Sequence, residues 1–280
     1  MYNSGMSDTI IGYGRTADVV SYDQARVIKL FKPFMNGAAI DREFRFASIA
    51  YRERLPTPRP VEVVTRDGRT GIVYERVEGT SLLRMISASP LRLSAFAKEM
   101  AELHCRINAV AYDDPEQSQK RNIEGAIMRT PDLDEADKER IVAYLRALPD
   151  GDRLCHGDFH PDNVIVSDRP WIIDWMTGSS GNPLGDIARS KMLLETSEIP
   201  GSVPPAMRFF LSLGQRKLAK AYIAEYCRIS KAKRGDIDAW MLPLYAARLE
   251  EHLSDGEKRV ILAKIRKEMK RRKLTRGKKA

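Results

Sequence analysis

No apolar run in this 280-residue chain approaches the roughly 20 residues that cross a bilayer as a helix. The first residues, Met1 to Gly14, lack a basic stretch leading into an apolar one, so no secretory signal peptide is expected. Cysteine is scarce. Cys105, Cys155 and Cys227 are scattered, with neither paired nor metal-like spacing, which argues against a disulfide framework and a zinc module. Each reads as a small buried apolar residue, and a reducing, cytoplasmic setting is the simplest expectation. Histidine is scarce too, with 4 in all. The charge is unevenly spread. Residues 257–280 carry 12 Lys or Arg against 2 Glu, whereas the preceding 256 residues hold 35 basic and 36 acidic groups. The net charge of +9 is thus a property of the tail. That weakens any reading of the whole surface as nucleic-acid binding.

What is present is the pattern of a mixed protein. Residues 9–11, 18–22 and 26–31 are β-branched or aromatic and separated by Gly and Asp, which predicts short strands. Residues 36–54 predict a helix with Asn36 as cap and Ile40, Phe44 and Ala47 on one face. Proline ends it in Leu55-Pro-Thr-Pro-Arg-Pro60. Residues 61–65 and 70–74 predict a hairpin turning at Asp67-Gly68. Beyond Gly79 the periodicity becomes helical, over 94–108, 134–148, 184–196, 205–228 and 236–253. Residues 112–125 read as a polar surface connection. Residues 154–174 read as short strands and loops. The chain divides into residues 1–78, β-rich; 79–256, helical; and 257–280, a basic helix or tail.

The chemistry concentrates in His156-Gly-Asp-Phe-His-Pro-Asp-Asn163 and Trp171-Ile-Ile-Asp174. Apolar strand-like residues follow Asn163 and precede Asp174. A hairpin would bring Asn163 and Asp174 to neighbouring positions, two oxygen ligands suited to Mg²⁺ shared with substrate phosphates. Asp158 then remains to accept the proton of a substrate hydroxyl. These are the parts phosphoryl transfer needs. Two other readings stand beside this one. Asp158, Asn163 and Asp174 are residue types that cap turns, and His156-x-Asp158-x-His160 is a conceivable hydrolytic metal cluster.

The sequence here resembles the protein-kinase-like superfamily, and within it the aminoglycoside phosphotransferase and choline kinase branch. His156-Gly-Asp158 with Asn163 five residues on, the His160-Pro161 pair, Asp174-Trp-Met176 and Gly185-Asp186-Ile-Ala188 carry the likeness. Gly12-Tyr-Gly14-Arg-Thr-Ala17 is similar to the glycine-rich loop, with Ala17 where a third glycine stands. The resemblance implies an α+β, protein-kinase-like fold of two lobes, with ATP and Mg²⁺ as cofactors. It implies further that Gly12 and Gly14 approach the phosphates and that Lys29 pairs with them. Glu43 would hold Lys29, and backbone groups of Glu75 and Val77 in the hinge-like Tyr74–Gly79 would meet adenine. Asp158 would be the catalytic base, Asn163 and Asp174 the metal ligands, and Asp186 a structural brace. Lys32 competes with Lys29, and Glu53 and Glu75 compete with Glu43.

The expected activity is transfer of the γ-phosphoryl group of ATP to a hydroxyl of a small molecule, a metabolite or an aminoglycoside-like compound. A protein kinase is the rival, disfavoured by the missing Ala-Pro-Glu motif. A silent nucleotide-binding module is another. The acceptor side, 197–256, holds 9 basic and 7 acidic residues, so it offers no strong field for a polycation. Glu225, Asp236, Asp238, Glu250 and Glu251 could form a local acidic rim. Tyr222, Tyr226, Trp240 and Tyr245 read as core residues or, less simply, as an aromatic cage for a quaternary amine. His104 reads as core. His160 either approaches the transferred phosphate or holds the loop. The basic tail either docks as a helix or contacts an acidic partner.

Overall fold

A computed structural model describes residues 9–197 and 204–274. In chain order the elements are β1 (Ile10–Tyr13), β2 (Ala17–Ser21), β3 (Arg26–Phe31), α1 (Gly37–Arg52), β4 (Pro60–Arg66), β5 (Arg69–Glu75), β6 (Thr80–Ser81), α2 (Leu82–Ala88), α3 (Leu93–Ala109), α4 (Gln119–Arg129), α5 (Glu135–Ala147), β7 (Arg153–Cys155), β8 (Val164–Val166), β9 (Pro170–Ile172), β10 (Ser179–Gly181), α6 (Pro183–Thr196), α7 (Pro205–Ser230), α8 (Arg234–Ala239), α9 (Met241–Arg248) and α10 (Asp255–Arg271). They form two compact units, Met1–Met85 with Pro161–Gly178, and Ile86–His160 with Ser179–Ala280.

The first unit is built on a five-stranded antiparallel sheet in the order β1-β2-β3-β5-β4. Its central strands β3 and β5 bury residues on both faces. On one side Ala17, Phe31, Ile40 of α1 and Ile72 cluster, joined by Tyr74 and Met176. On the other, Val20, Ile28 and Leu30 pack with Tyr22 and Val64. Asn36 caps α1 through the Ala39 amide, worth about 1 kcal/mol. The hairpin β8–β9 pairs with β6, and the Ile172 amide and carbonyl bond to Pro56 and Thr57. This is why the 161–178 hairpin clusters with the sheet.

The second unit is helical. Phe96, Met100, Leu103 and Ile107 of α3 are buried, as are Leu218, Tyr222, Ile223 and Tyr226 of α7. Two expectations needed correction. Residues 119–129 form α4 and not a surface connection; Ser118 caps it, and its buried residues, Gln119, Ile123 and Ile127, make a narrow stripe that the polar residues around it conceal. The expected helix over 236–253 is two short helices meeting at Trp240, whose amide turns back to Ile237. Helix α2 was not anticipated, because it is seven residues long and buries only Leu82. No helix among the described residues is long and apolar enough to cross a membrane.

Candidate active site

In the first unit the site is assembled on β3, α1 and the β8–β9 hairpin. Lys29 lies on the same face of β3 as Phe31, the face that α1 covers. One turn after the buried Ile40, α1 presents Glu43, whose residue is 1% exposed. The Lys29 ammonium donates to Glu43 Oε1 and Oε2 at 2.7 and 2.9 Å, and to Asp174 Oδ1 at 3.0 Å. The Tyr74 hydroxyl donates to Glu43 Oε1 at 3.1 Å. Burial disfavours the Lys29 charge, but Glu43 and Asp174 outweigh it and hold the ammonium above its ordinary pKa. The sequence alternatives are otherwise engaged. Lys32 donates to Asp18 at 2.6 Å, Glu53 ends α1, and Glu75 accepts from the Arg59 amide at 3.3 Å.

The hairpin does what its spacing predicts. Val164 pairs with Ile172, and the Ile173 amide donates to the Asn163 carbonyl at 3.0 Å. Asn163 and Asp174 therefore leave the ends of adjacent strands. Asp174 adopts φ +67°, which costs a non-glycine residue about 1–2 kcal/mol. In that conformation its carboxylate meets Lys29. One amide oxygen and one carboxylate make a donor set suited to a hard cation that takes its other ligands from water and phosphate. They do not make a self-sufficient metal cage. Among the described residues no group of three or more His, Cys, Asp or Glu is arranged for a metal.

The turn between β1 and β2 contains Gly14, whose amide bonds to the Ala17 carbonyl at 2.8 Å. A Cβ at Gly14 would lie 2.8 Å from that oxygen, so the turn itself requires the glycine. Gly12 differs: a Cβ there would make only ordinary contact with Val19. Ala17, at the third-glycine position, is a buried core residue of β2. The Glu75 amide is taken by the Arg59 carbonyl at 2.9 Å, so a Glu75 contact to adenine falls to its carbonyl.

In the second unit the loop bearing Asp158 is held by Asp186, which is fully buried. The carboxylate accepts from the His156 amide at 2.9 Å, the Gly157 amide at 2.8 Å, His104 Nε2 at 2.8 Å and Asn108 Nδ2 at 3.0 Å. The Tyr222 hydroxyl reaches His104 Nδ1, and the Tyr226 hydroxyl donates to Asn108 Oδ1 at 2.8 Å. One tautomer satisfies the chain: Tyr222 donates to Nδ1, and Nε2–H donates to Asp186. Burial raises the Asp186 pKa, but the His104 ring beside it, its hydrogen bond and the two loop amides lower it to about 2. Gly157 takes φ +77°, an easy conformation for glycine alone. Phe159 is buried against the rings of His104 and His156. This network, not a cage, is what Tyr222 and Tyr226 serve, and Trp240 and Tyr245 are also buried.

Asp158 has a cationic surround. His160 Nε2 is 3.4 Å from Oδ2. Arg189, one turn after Asp186 on α6, has Nη2 3.9 Å from Oδ1 and donates from Nε to the Gly157 carbonyl at 3.2 Å. Burial works to raise the Asp158 pKa, but His160, Arg189 and His156 together hold it well below the carboxylate range. Glu251 competes for the guanidinium: it lies 2.6 Å from Arg189 and 2.8 Å from Arg248. Sequence reasoning missed Arg189 and named Glu251 only as part of an acidic rim. The only available signal was that Asp-Ile-Ala-Arg puts Arg189 on the helix face of Asp186. The acidic rim is largely neutralised from within the chain. Glu225 pairs with Arg228, Asp238 with Lys191, Glu250 with Arg129, and Glu251 with the two arginines.

Comparison with solved structures agrees on the fold. An aminoglycoside-3'-phosphotransferase of type VIII is 20% identical, with 86% of this chain and 93% of that one aligned and a TM-score of 0.58. The aminoglycoside phosphotransferase APH(2'')-IIa, in a ternary complex with streptomycin and ATP, is 15% identical over 94% and 91%, with a TM-score of 0.58. The GDP complex of aminoglycoside 2'-phosphotransferase-IIIa is 16% identical over 96% and 94%, with a TM-score of 0.55. The fold is thus the α+β, kinase-like one expected. No curated protein sequence matches significantly. The model of the phosphotransferase enzyme family, APH, matches residues 14–240, and with most of the chain so covered, the protein belongs to that family.

Proposed function

We propose that the protein transfers the γ-phosphoryl group of ATP to a hydroxyl of a small, uncharged or weakly charged molecule. The observation that carries this reading is the Lys29 ammonium fixed between Glu43 and Asp174. A lysine so held is a rigid cation for the α- and β-phosphates. Gly12 and Gly14 lie at the turn that would cover the phosphates. The Glu75 carbonyl and the Val77 amide would meet adenine. Asn163 and Asp174 would hold Mg²⁺, whose charge would neutralise the phosphate oxygens.

Asp158 then receives the acceptor. Its low pKa makes it a weak base, suited to orienting the hydroxyl and taking the proton as the new oxygen–phosphorus bond forms. The bond from γ-phosphorus to the bridging oxygen breaks, and ADP leaves. Positioning and charge stabilisation supply the rate. His160 and Arg189 tune the base.

A polycationic acceptor is the second reading, favoured by the aminoglycosides in the names of the fold neighbours. The internal pairing of Glu225, Asp238, Glu250 and Glu251 argues against it, because a polycation needs carboxylates it does not have to win from arginine. The test is a panel of aminoglycosides, amino alcohols, sugars and nucleosides incubated with γ-labelled ATP. Label should move to a neutral or singly charged hydroxyl compound. Preferential labelling of aminoglycosides would replace the first reading with the second, and label retained on protein would reject both.

A further inference from the structure

Helix α10 carries a charge pattern that the phosphotransfer reading does not use. Its apolar side, Ile261, Ile265 and Met269, is buried. At 100° per residue the opposite side falls on Ala263, Lys267, Lys270 and Arg259, with Arg266 at its edge. All five are exposed. The acidic residue of the helix interior, Glu268, lies off this stripe and is spent on Arg271 and Arg272. Lys258 and Lys264, flanking the buried side, pair with Asp132 and Glu195. Among the described residues, none of Arg259, Arg266, Lys267 and Lys270 has a carboxylate within ion-pair distance. The helix starts from a complete capping box, Ser254 with Glu257, and Arg272 donates to the Asp238 and Ala239 carbonyls near its end. Four cations therefore stand along about 16 Å of a helix fixed at both ends. The chain continues into Arg276, Lys278 and Lys279.

The chemistry of the stripe selects among polyanions. A helix that binds membranes in the interface sinks an apolar face into the headgroup boundary, and the apolar face of α10 is already buried. A protein partner would need apolar or aromatic anchors to bind tightly; among the described residues, the one exposed large apolar side chain of α10 is Val260, 49% exposed. Single-stranded nucleic acid is held by stacking its bases on aromatic rings, and the helix contains none. A duplex presents regularly spaced phosphates and asks only for cations in register.

We propose that the exposed face of α10 binds the phosphate backbone of double-stranded nucleic acid without sequence preference. Each phosphate neutralised contributes about 0.9 to the slope of log K against log salt, so the four side chains account for a slope of about 3.6. Binding of fluorescein-labelled 20-base-pair RNA and DNA duplexes to the full chain would be followed by anisotropy between 50 and 200 mM salt. The comparison protein carries Arg259→Gln, Arg266→Gln, Lys267→Gln and Lys270→Gln, all exposed, with an unchanged circular dichroism melt as the control for folding. The wild type should bind at least one duplex, and the variant should bind it more than 10-fold more weakly, with the slope reduced by about 3–4. Two sequences of equal length should bind alike. Stronger binding to RNA than to DNA, or the reverse, identifies which duplex is the partner. The proposal is overturned by no duplex binding at 50 mM salt, by an unchanged slope in the variant, or by tighter binding to phosphatidylserine vesicles or poly-glutamate than to either duplex.

Discussion

Asp186→Asn should destabilise the helical unit by about 3–5 kcal/mol, the scale for breaking a buried, charged hydrogen-bond set. The wild-type carboxylate is fully buried and accepts four bonds, one on Oδ1 from Gly157 and three on Oδ2 from His156, His104 and Asn108. Asparagine keeps the shape but replaces one oxygen with a donor. Its best orientation sets the new NH₂ against the Gly157 amide, leaving two buried donors face to face, about 1–3 kcal/mol. The other three bonds survive to a neutral acceptor and lose roughly half their strength. The pH dependence follows from the same contacts. The folded pKa is depressed from 3.8 to about 2. The carboxylate's contribution, about 2–3 kcal/mol, is therefore complete above about pH 4 and lost as pH falls through 2. Urea unfolding followed by circular dichroism at pH 7 and at acid pH measures both. A loss under about 1 kcal/mol at pH 7, or a variant whose acid sensitivity matches wild type, would refute the role given to Asp186.

Lys29→Ala should lower kcat/KM by about 100-fold or more, the scale for removing a preorganised charge, and should also lower the melting temperature, because Glu43 is left buried without its cation; unchanged kinetics would remove Lys29 from the site. The depressed pKa of Asp158 means the base is ionised throughout the physiological range, so kcat/KM should show no acid limb from it between pH 5 and 8. A limb there that disappears in Asp158→Glu would contradict the assignment. Glu251→Gln should release Arg189 toward Asp158 and cost about 10-fold in kcat with KM nearly constant, about 1.4 kcal/mol. Arg189→Gln on that background should recover part of the loss, and an additive double variant would show that the two side chains act separately.

The parts of the fold and site that were legible in the sequence are those set by short-range chemistry. Strand β3, the hairpin around Asp67-Gly68 and helix α1 follow from alternation, a turn dipeptide and a cap. The adjacency of Asn163 and Asp174 follows from two apolar triplets that can pair only as a hairpin. Lys29 and Glu43 are 14 residues apart, and the likeness to known kinases was needed to pair them. The rest depended on contacts between distant segments. Nothing local marks His104, Asn108, Tyr222 and Tyr226 as a buried polar network, because each sits at a helical spacing that suits an apolar core equally well. Tyr222 and Tyr226 could be read as a cage for that reason. Arg189 and Glu251 lie 62 positions apart in sequence, and only the packing of the second unit shows that one guanidinium stands between Asp158 and Glu251. Helix α4 was hidden by the polarity of its exposed face.

The central claim is that Asp158 handles the acceptor's proton, and Asp158→Asn tests it most directly. Once an acceptor has been found, steady-state transfer from γ-labelled ATP should fall by at least about 100-fold, within the range for a positioned general base. KM for ATP should stay within a few-fold and the melt should be preserved, since asparagine keeps the shape of the Asp158 side chain. Transfer by the asparagine variant at the wild-type rate would contradict the account.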